Sequence, residues 1–229
     1  DLLKQIDNGI GGQNIIHYSF SANYQNVFLP FSFPVVESIV SQNALGDSYS
    51  TEYHYQNGLW NAEQREFCGF GLVRLIDADG NYRETTFLQG EYDKGRISSQ
   101  ASYDVNGNLY DKTEHQWALV DVSAGIKRAD LIETNEYHYN GGAIGQRSKK
   151  TFAYDAFGNL LMTTDYGEVD VITGEDLFND NITDETFYHN NTQNWLLGLP
   201  KHILTRNHNN SIISQSWLFY DGSQNFEVM

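Results

Sequence analysis

Along Tyr49-Ser50-Thr51-Glu52-Tyr53-His54-Tyr55 the odd positions read Tyr, Thr, Tyr, Tyr and the even ones Ser, Glu, His. A period of two is the pattern of a half-buried β-strand, because successive side chains leave opposite faces of the pleat. The same alternation predicts strands within residues 133–139, 149–154, 183–188 and 211–220. It sets Tyr53 and Tyr55 on one face with His54 on the other, and likewise Tyr137 and Tyr139 against His138. No window carries convincing helical spacing. Residues 117–131, interrupted by Gly125, read as the least strand-like stretch of the chain.

The joints between strands repeat. Glu52-Tyr53-His54-Tyr55-Gln56-Asn57-Gly58 returns as Glu136-Tyr137-His138-Tyr139-Asn140-Gly141-Gly142. Tyr103-Asp104-Val105-Asn106-Gly107-Asn108-Leu109 returns as Tyr154-Asp155-Ala156-Phe157-Gly158-Asn159-Leu160, and Tyr220-Asp221-Gly222 is a shortened form. Each unit is an aromatic strand, an Asp, a Gly and a new apolar strand. The Asp oxygen accepts a backbone N–H two residues on, and Gly supplies positive φ. This is hairpin chemistry, and with the alternation it predicts an all-β fold of antiparallel hairpins.

Composition narrows the function. The chain of 229 residues holds 14 basic and 30 acidic side chains, a formal net charge of −16, with 15 Tyr, 13 Phe and four Trp. So many aromatic residues argue for a folded chain despite the charge. The acidic balance opposes nucleic acid, which needs cations to displace phosphate counterions. It also opposes adhesion to anionic lipid, and no apolar run reaches the ~20 residues of a membrane helix. One cysteine, Cys68, excludes an internal disulfide and any multi-cysteine zinc site. The start at Asp1 reads as that of a piece of a longer chain.

At this point the residues reach a family. Tyr-Asp-x-x-Gly-Asn-Leu, twice over, resembles the YD repeat of RHS proteins and teneurins. Asp1-Leu2-Leu3 with Ile6-Asp7-Asn8-Gly9, Phe33-Pro34-Val35-Val36-Glu37, and Tyr53 to Gly58 followed by Arg65, Glu66, Phe67, Cys68, Gly69, Phe70 and Gly71 resemble the middle region of the B-type component of insecticidal Tc toxin complexes. That component is related in turn to the SpvB virulence proteins. Asp165-Tyr166-Gly167-Glu168-Val169 and Trp195-Leu196-Leu197-Gly198-Leu199-Pro200 extend the likeness. Cys68 stands where the family usually has Arg and Asn61 where it often has Asp; the loop of residues 21–33 is short for the family.

The resemblance implies a curved strip of hairpins forming part of a shell wall. Residues 1–90 would be a TcdB-middle-like segment opening the shell, and 91–229 a YD-repeat-like segment. It implies a secreted bacterial protein whose partners are the rest of its own shell, an enclosed toxin segment and a membrane-penetrating A-type component. It implies no cofactor and no enzyme activity.

The residues that could carry chemistry each have a plainer reading. Asp77-Ala78-Asp79-Gly80-Asn81 alternates oxygens as a calcium loop does, but lacks the distal Glu; a turn between strands 72–76 and 82–88 accounts for it. The seven histidines form no His-x-His or His-x-x-x-His pair. Cys68 has no histidine near it in sequence. Glu52 with Glu66, or Glu168 with Asp170, would serve a glycosidase only if they converge in space. Gly69-Phe70-Gly71 lacks the Lys of a phosphate loop and reads as a bulge or close approach. The rival to a structural role is a carbohydrate-binding module using Trp60, Trp117, Trp195 or Trp217.

Overall fold

A computed structural model describes residues 1–140 and 143–220. Contacts divide the chain into two compact units, Asp1–Glu114 with Tyr139–Ala143, and His115–His138 with the chain from Ile144 onward. The first holds β1 (Gln5–Asp7), β2 (Gln13–Phe20), β3 (Gln25–Phe28), β4 (Pro34–Gln42), β5 (Ser48–Asn61), β6 (Glu66–Ile76), β7 (Tyr82–Phe87), β8 (Ile97–Tyr103) and the start of β9 (Leu109–Ser123). The second holds the rest of β9, most of β10 (Ile126–Asn140), and β11 (Ala143–Tyr154), β12 (Leu160–Val169), β13 (Ile182–Asn191), β14 (Leu196–Asn207) and β15 (Ile212–Trp217). The all-β, antiparallel expectation is met.

In the first unit, strands consecutive in sequence pair antiparallel, with one exception. β4 leaves β5 after the Ser38↔Glu52 pair. β3 fills the vacated edge and runs parallel to β5, with Asn26 beside Gly58 and Phe28 beside Leu59. Burial along β5 alternates as the sequence predicts: Tyr53 and Tyr55 are half-buried, His54 exposed. Along β10, Tyr137 and Tyr139 are likewise half-buried on either side of an exposed His138.

An up-and-down path places alternate connections at the same end of the strands. At one end of the first unit lie four five-residue turns of one design, beginning at Asn8, Asn43, Asp77 and Asp104. In each, the first side chain's Oδ1 accepts the N–H groups two and four residues on: Ile10 and Gly12, Leu45 and Asp47, Asp79 and Asn81, Asn106 and Asn108. The fourth position is a left-handed glycine, Gly11, Gly46, Gly80 or Gly107. Two of these glycines also make room for a neighbouring turn. A Cβ on Gly11 would stand 2.7 Å from Ala44 Cβ, and one on Gly80 2.8 Å from Val105 Cγ2.

Where ladders end, tyrosines take over. Tyr18 Oη donates to Leu3 O, Tyr55 Oη to Val36 O, Tyr188 Oη to Leu160 O and Tyr220 Oη to Pro200 O. Each accepting carbonyl lies just past the last register pair of its ladder: Gln5↔Ile15, Ser38↔Glu52, Met162↔Glu185 and His202↔Trp217.

Among the described residues neither unit has a second layer. Among the described residues the only helical element is a 3₁₀ turn, Ser21–Asn23. Buried apolar residues are Val35, Cys68 and Ala101 in the first unit, and Ala129, Val169 and Leu204 in the second. Half-burial is the rule elsewhere, as expected of a sheet with no element packed over either face.

One expectation is corrected. Residues 117–131, read as the least strand-like, belong to the two 15-residue strands β9 and β10. Gly125 turns between them at φ 76°. The alternation fails there because Val120, Asp121, Val122 and Ser123 are all exposed. A strand with no buried face shows no period.

Candidate functional site

The block from Arg65 to Gly71 begins at a turn and ends in a bulge. Asn61 Oδ1 accepts the N–H groups of Glu63 and Gln64, and Arg65 closes the turn at φ 54°. Glu66 Oε2 meets Lys94 Nζ at 2.6 Å. The register then steps from Trp60↔Phe67 to Gly58↔Phe70, so Cys68 and Gly69 together face Leu59. This is a bulge whose second residue takes positive φ, and Gly69 sits at φ 89°. Gln89 Nε2 staples it, donating to Asn57 O at 2.8 Å and Gly69 O at 2.9 Å. A Cβ on Gly71 would press to 3.0 Å from both Asn57 Cβ and Gln89 Oε1. The two glycines thus serve a bulge and a close approach.

Around the bulge stand the aromatic rings. Phe67 and Phe70 meet edge-on at 5.5 Å, and Phe33 contacts them at 5.1 and 6.2 Å. Tyr55 lies 4.8 Å from Phe70 and 5.3 Å from Tyr24, and Phe31 stands edge-on to Trp60 at 4.8 Å. Burial pushes the Tyr55 hydroxyl up to about 12. Asn26 bridges the β3 segment with Nδ2 to Ser21 O and Tyr24 O. A Cβ on Gly58 would fall 2.3 Å from Asn26 Oδ1. Sequence reasoning found Arg65 to Gly71 and, separately, the run that starts at Phe33, but missed Tyr24, Phe31, Asn26 and Gln89. No motif marks those partners, because they reach the block from 34 to 41 residues before Arg65 or from beyond β7.

The Tyr-Asp turns share a frame and differ in their cover. At Tyr103-Asp104, the Tyr103 ring stacks on Tyr82 at 4.7 Å, and Gly107 faces the Tyr82 hydroxyl. At Tyr154-Asp155, Asp155 Oδ1 accepts from Phe157 and Asn159, with Gly158 at φ 93°. Arg128 forks onto Asp130 at 2.6 and 2.8 Å and also donates to Asp155 O and Ala156 O. Hydrogen bonds from the Asn108 side chain and backbone hold the Asp104 carboxyl below its usual value. Burial works upward on Asp155, but hydrogen bonds from Asn159 and Asn190 outweigh it. Tyr220 is described; Asp221 and Gly222, like Gly141 and Gly142 of the other repeat, lie outside the described residues.

The remaining chemistries do not assemble. Glu52 and Glu66 stand at opposite ends of the β5–β6 ladder, opposite Ile76 and Asn61. Nine residues at about 3.3 Å each put them roughly 30 Å apart, well beyond a glycosidase pair. Asp170 caps the N–H groups of Ile172 and Thr173, and Glu168 accepts from Gln146. Asp77 spends Oδ1 on its turn and Oδ2 on Asn81 Nδ2. Cys68 is buried with Sγ toward Glu66 O. No group of three His, Cys, Asp or Glu could hold a metal among the described residues.

The tryptophans are dispersed in use. Trp60 packs in the ring cluster. Trp117 is half-buried on β9. Trp195, 77% exposed, is a turn residue at φ 55°; Asn191 Oδ1 caps that turn as Asn61 does its own, and Gly198 follows at φ 79°. This second copy of the bulged hairpin went unread in the sequence. Trp217 stacks face-on against His202 at 3.6 Å, which in turn stacks on Phe187 at 5.6 Å. These rings turn faces to one another rather than to a shared groove.

Residues 1–100 match the family model described as the insecticide toxin TcdB middle/N-terminal region. The likeness read from Asp1 to Gly71 therefore holds over that stretch. Solved structures share the fold over most of the chain. TcdB2-TccC3 superposes with a TM-score of 0.70 at 16% identity, covering 91% of this chain and 16% of that one. TcdB2-TccC3 without its hypervariable C-terminal region gives 0.69 at 17%, covering 90% and 15%. The Tc holotoxin pore of Photorhabdus luminescens gives 0.71 at 17%, covering 91% and 15%. The chain thus spans about 15% of the length of the solved chains that it matches. No curated protein matches it.

Proposed function

We propose that this chain is a stretch of wall in the shell of a toxin-complex B-type component, a structural element without catalysis of its own. Residues 1–90 open that wall and 91–229 continue it with YD-type hairpins. What carries the reading is the single-layered sheet of each unit. Only a few residues of either unit are fully buried, the last strand of the second unit, β15, is exposed at all six residues, and the side chains are spent on turns, bulges and ring contacts rather than on a cleft. A strip of this kind is stable where further strands pair with its edges and other chain covers its faces. The partners are the remainder of the shell, a toxin segment enclosed by it and a membrane-penetrating A-type component, in a secreted assembly. No helix among the described residues is long and apolar enough to cross a membrane.

The test uses the full-length polypeptide that carries this chain. Its C-terminal segment resists added protease while the shell is intact and is cleaved once the shell is opened. Cleavage at the rate of a free chain throughout would overturn the reading.

A further inference from the structure

The first turn of the sheet carries a second inference, independent of the wall. Four Asn-Gly pairs stand in the chain, at Asn8, Asn57, Asn106 and Asn140; the glycine of the last lies outside the described residues. In such a pair the backbone nitrogen of the glycine can attack the side-chain amide of the asparagine, because glycine carries no Cβ to obstruct the approach. The structure prepares one of these pairs for that reaction and hinders two others.

At Asn8 the conditions meet. Asn8 and Gly9 are both exposed. The Gly9 N–H, which must act as nucleophile, makes no hydrogen bond among the described residues. The Asn8 Oδ1 accepts the N–H of Ile10 at 3.0 Å and that of Gly12 at 2.9 Å. Attack on Cγ turns that oxygen into an oxyanion, and its donors already stand in place, as in an oxyanion hole. The other described pairs fall short. Gly58 is buried between ladders, with Asn26 beside it on one strand and Phe70 on the other. The Gly107 N–H is held by Asp104 O at 3.0 Å. Asn43 has the same cradle, from the N–H groups of Leu45 and Asp47, but Ala44 follows it.

We propose that Asn8 is a modification site at which the turn converts its own asparagine to an acid. The Gly9 nitrogen gives its proton to hydroxide and bonds to Asn8 Cγ. The Cγ–Nδ2 bond breaks, and the amide nitrogen takes a proton from water and leaves as ammonia. Water then opens the cyclic imide. Cleavage between Gly9 N and Cγ yields aspartate on an ordinary backbone; cleavage between Gly9 N and the backbone carbonyl carbon yields isoaspartate on a lengthened one. Aspartate suits the turn, since Asp77 and Asp104 open the same turn with a carboxylate, and a carboxylate accepts N–H groups more strongly than an amide does.

The experiment incubates the full-length polypeptide that carries this chain at mildly alkaline pH in heavy-oxygen water. Each Asn-Gly peptide is then followed by mass spectrometry, with and without urea. In the folded chain the label enters the Asn8 peptide at least about tenfold faster than the Asn57 or Asn106 peptide. Urea removes that lead and brings the peptides to similar rates. Ala44→Gly places a glycine after Asn43 under the same kind of cradle, and the label then enters there faster than in the wild type. Entry at Asn57 or Asn106 first in the folded chain, an Asn8 rate that rises on unfolding, or an Asn43 rate unmoved by Ala44→Gly would overturn the proposal. The wild-type comparison stands by itself if the variant misfolds.

Discussion

The two ends of the strands in the first unit are built by different rules. At one end stand the turns of Asn8, Asn43, Asp77 and Asp104, each closed by bonds within its own five residues. At the other, the connections of residues 21–33, 62–65 and 88–96 carry the bulge and the ring cluster, whose members come from distant parts of the chain. The turn end is modular, since each turn works whatever the next one does, apart from the Gly11–Ala44 and Gly80–Val105 contacts. The ring end is cooperative, because Phe70 touches Phe33, Tyr55 and Phe67 together. Local bonding makes a structure that tolerates loss one piece at a time; shared packing does not.

The largest effect is expected at the ring end. Phe70→Ala should cost about 3 kcal/mol, the low end for removing a packed ring, and should couple non-additively to Phe67→Ala by about 1 kcal/mol. Urea titration of both single variants and the double variant measures this; strict additivity would break the contrast. At the turn end, Gly107→Val should cost about 2 kcal/mol, since a β-branched residue is forced to φ 83°. Gly158→Val in the second unit should match it, because a Cβ there also meets the Arg128 guanidinium at 3.1 Å. Asn43→Ala, which strips two N–H groups of their acceptor, should cost about 1 kcal/mol. Its effect should add to that of Asp77→Ala.

The acid limb sharpens the same contrast. Asp104 and Asp155 have carboxyls held below the ordinary 3.8 in the folded chain. A depressed folded value means their contribution is whole above the unfolded pKa and is lost as pH falls through the folded one. Melting temperature should therefore hold from pH 7 to 5 and drop below about pH 4, where both groups gain protons. Asp104→Asn and Asp155→Asn should each flatten that drop. Asp79→Asn should be the smallest change, within about 0.5 kcal/mol, and added calcium should leave the melting of either form unmoved.

The contrast also explains what the sequence discloses. Tyr103-Asp104 and Tyr154-Asp155 announce their turns because the whole mechanism fits in five consecutive residues. The Asn8, Asn43 and Asn207 turns use the same bonds but escape a search for Asp and Gly. Asn offers the same oxygen, and Asn210 at φ 62° replaces the glycine, so a pattern of Asp or Asn followed three residues later by Gly or Asn would have found them. The pairing of β3 with β5 is silent in sequence, since nothing in Gln25 to Phe28 states that β4 will leave an edge vacant.

The tyrosine hydroxyls at the ladder ends bear on how such a sheet would yield under load. A ladder of backbone bonds pulled open from its end fails like a zipper, one pair at a time, and the first pair sets the force. Tyr55 places a side-chain tether across the fork ahead of Ser38↔Glu52, and Tyr18, Tyr188 and Tyr220 do the same at their own forks. A phenol spans the gap between strands that have already diverged, so the tether holds while the backbones separate. Each fork is thereby blunted, and the strands can splay without surrendering the accepting carbonyl to water.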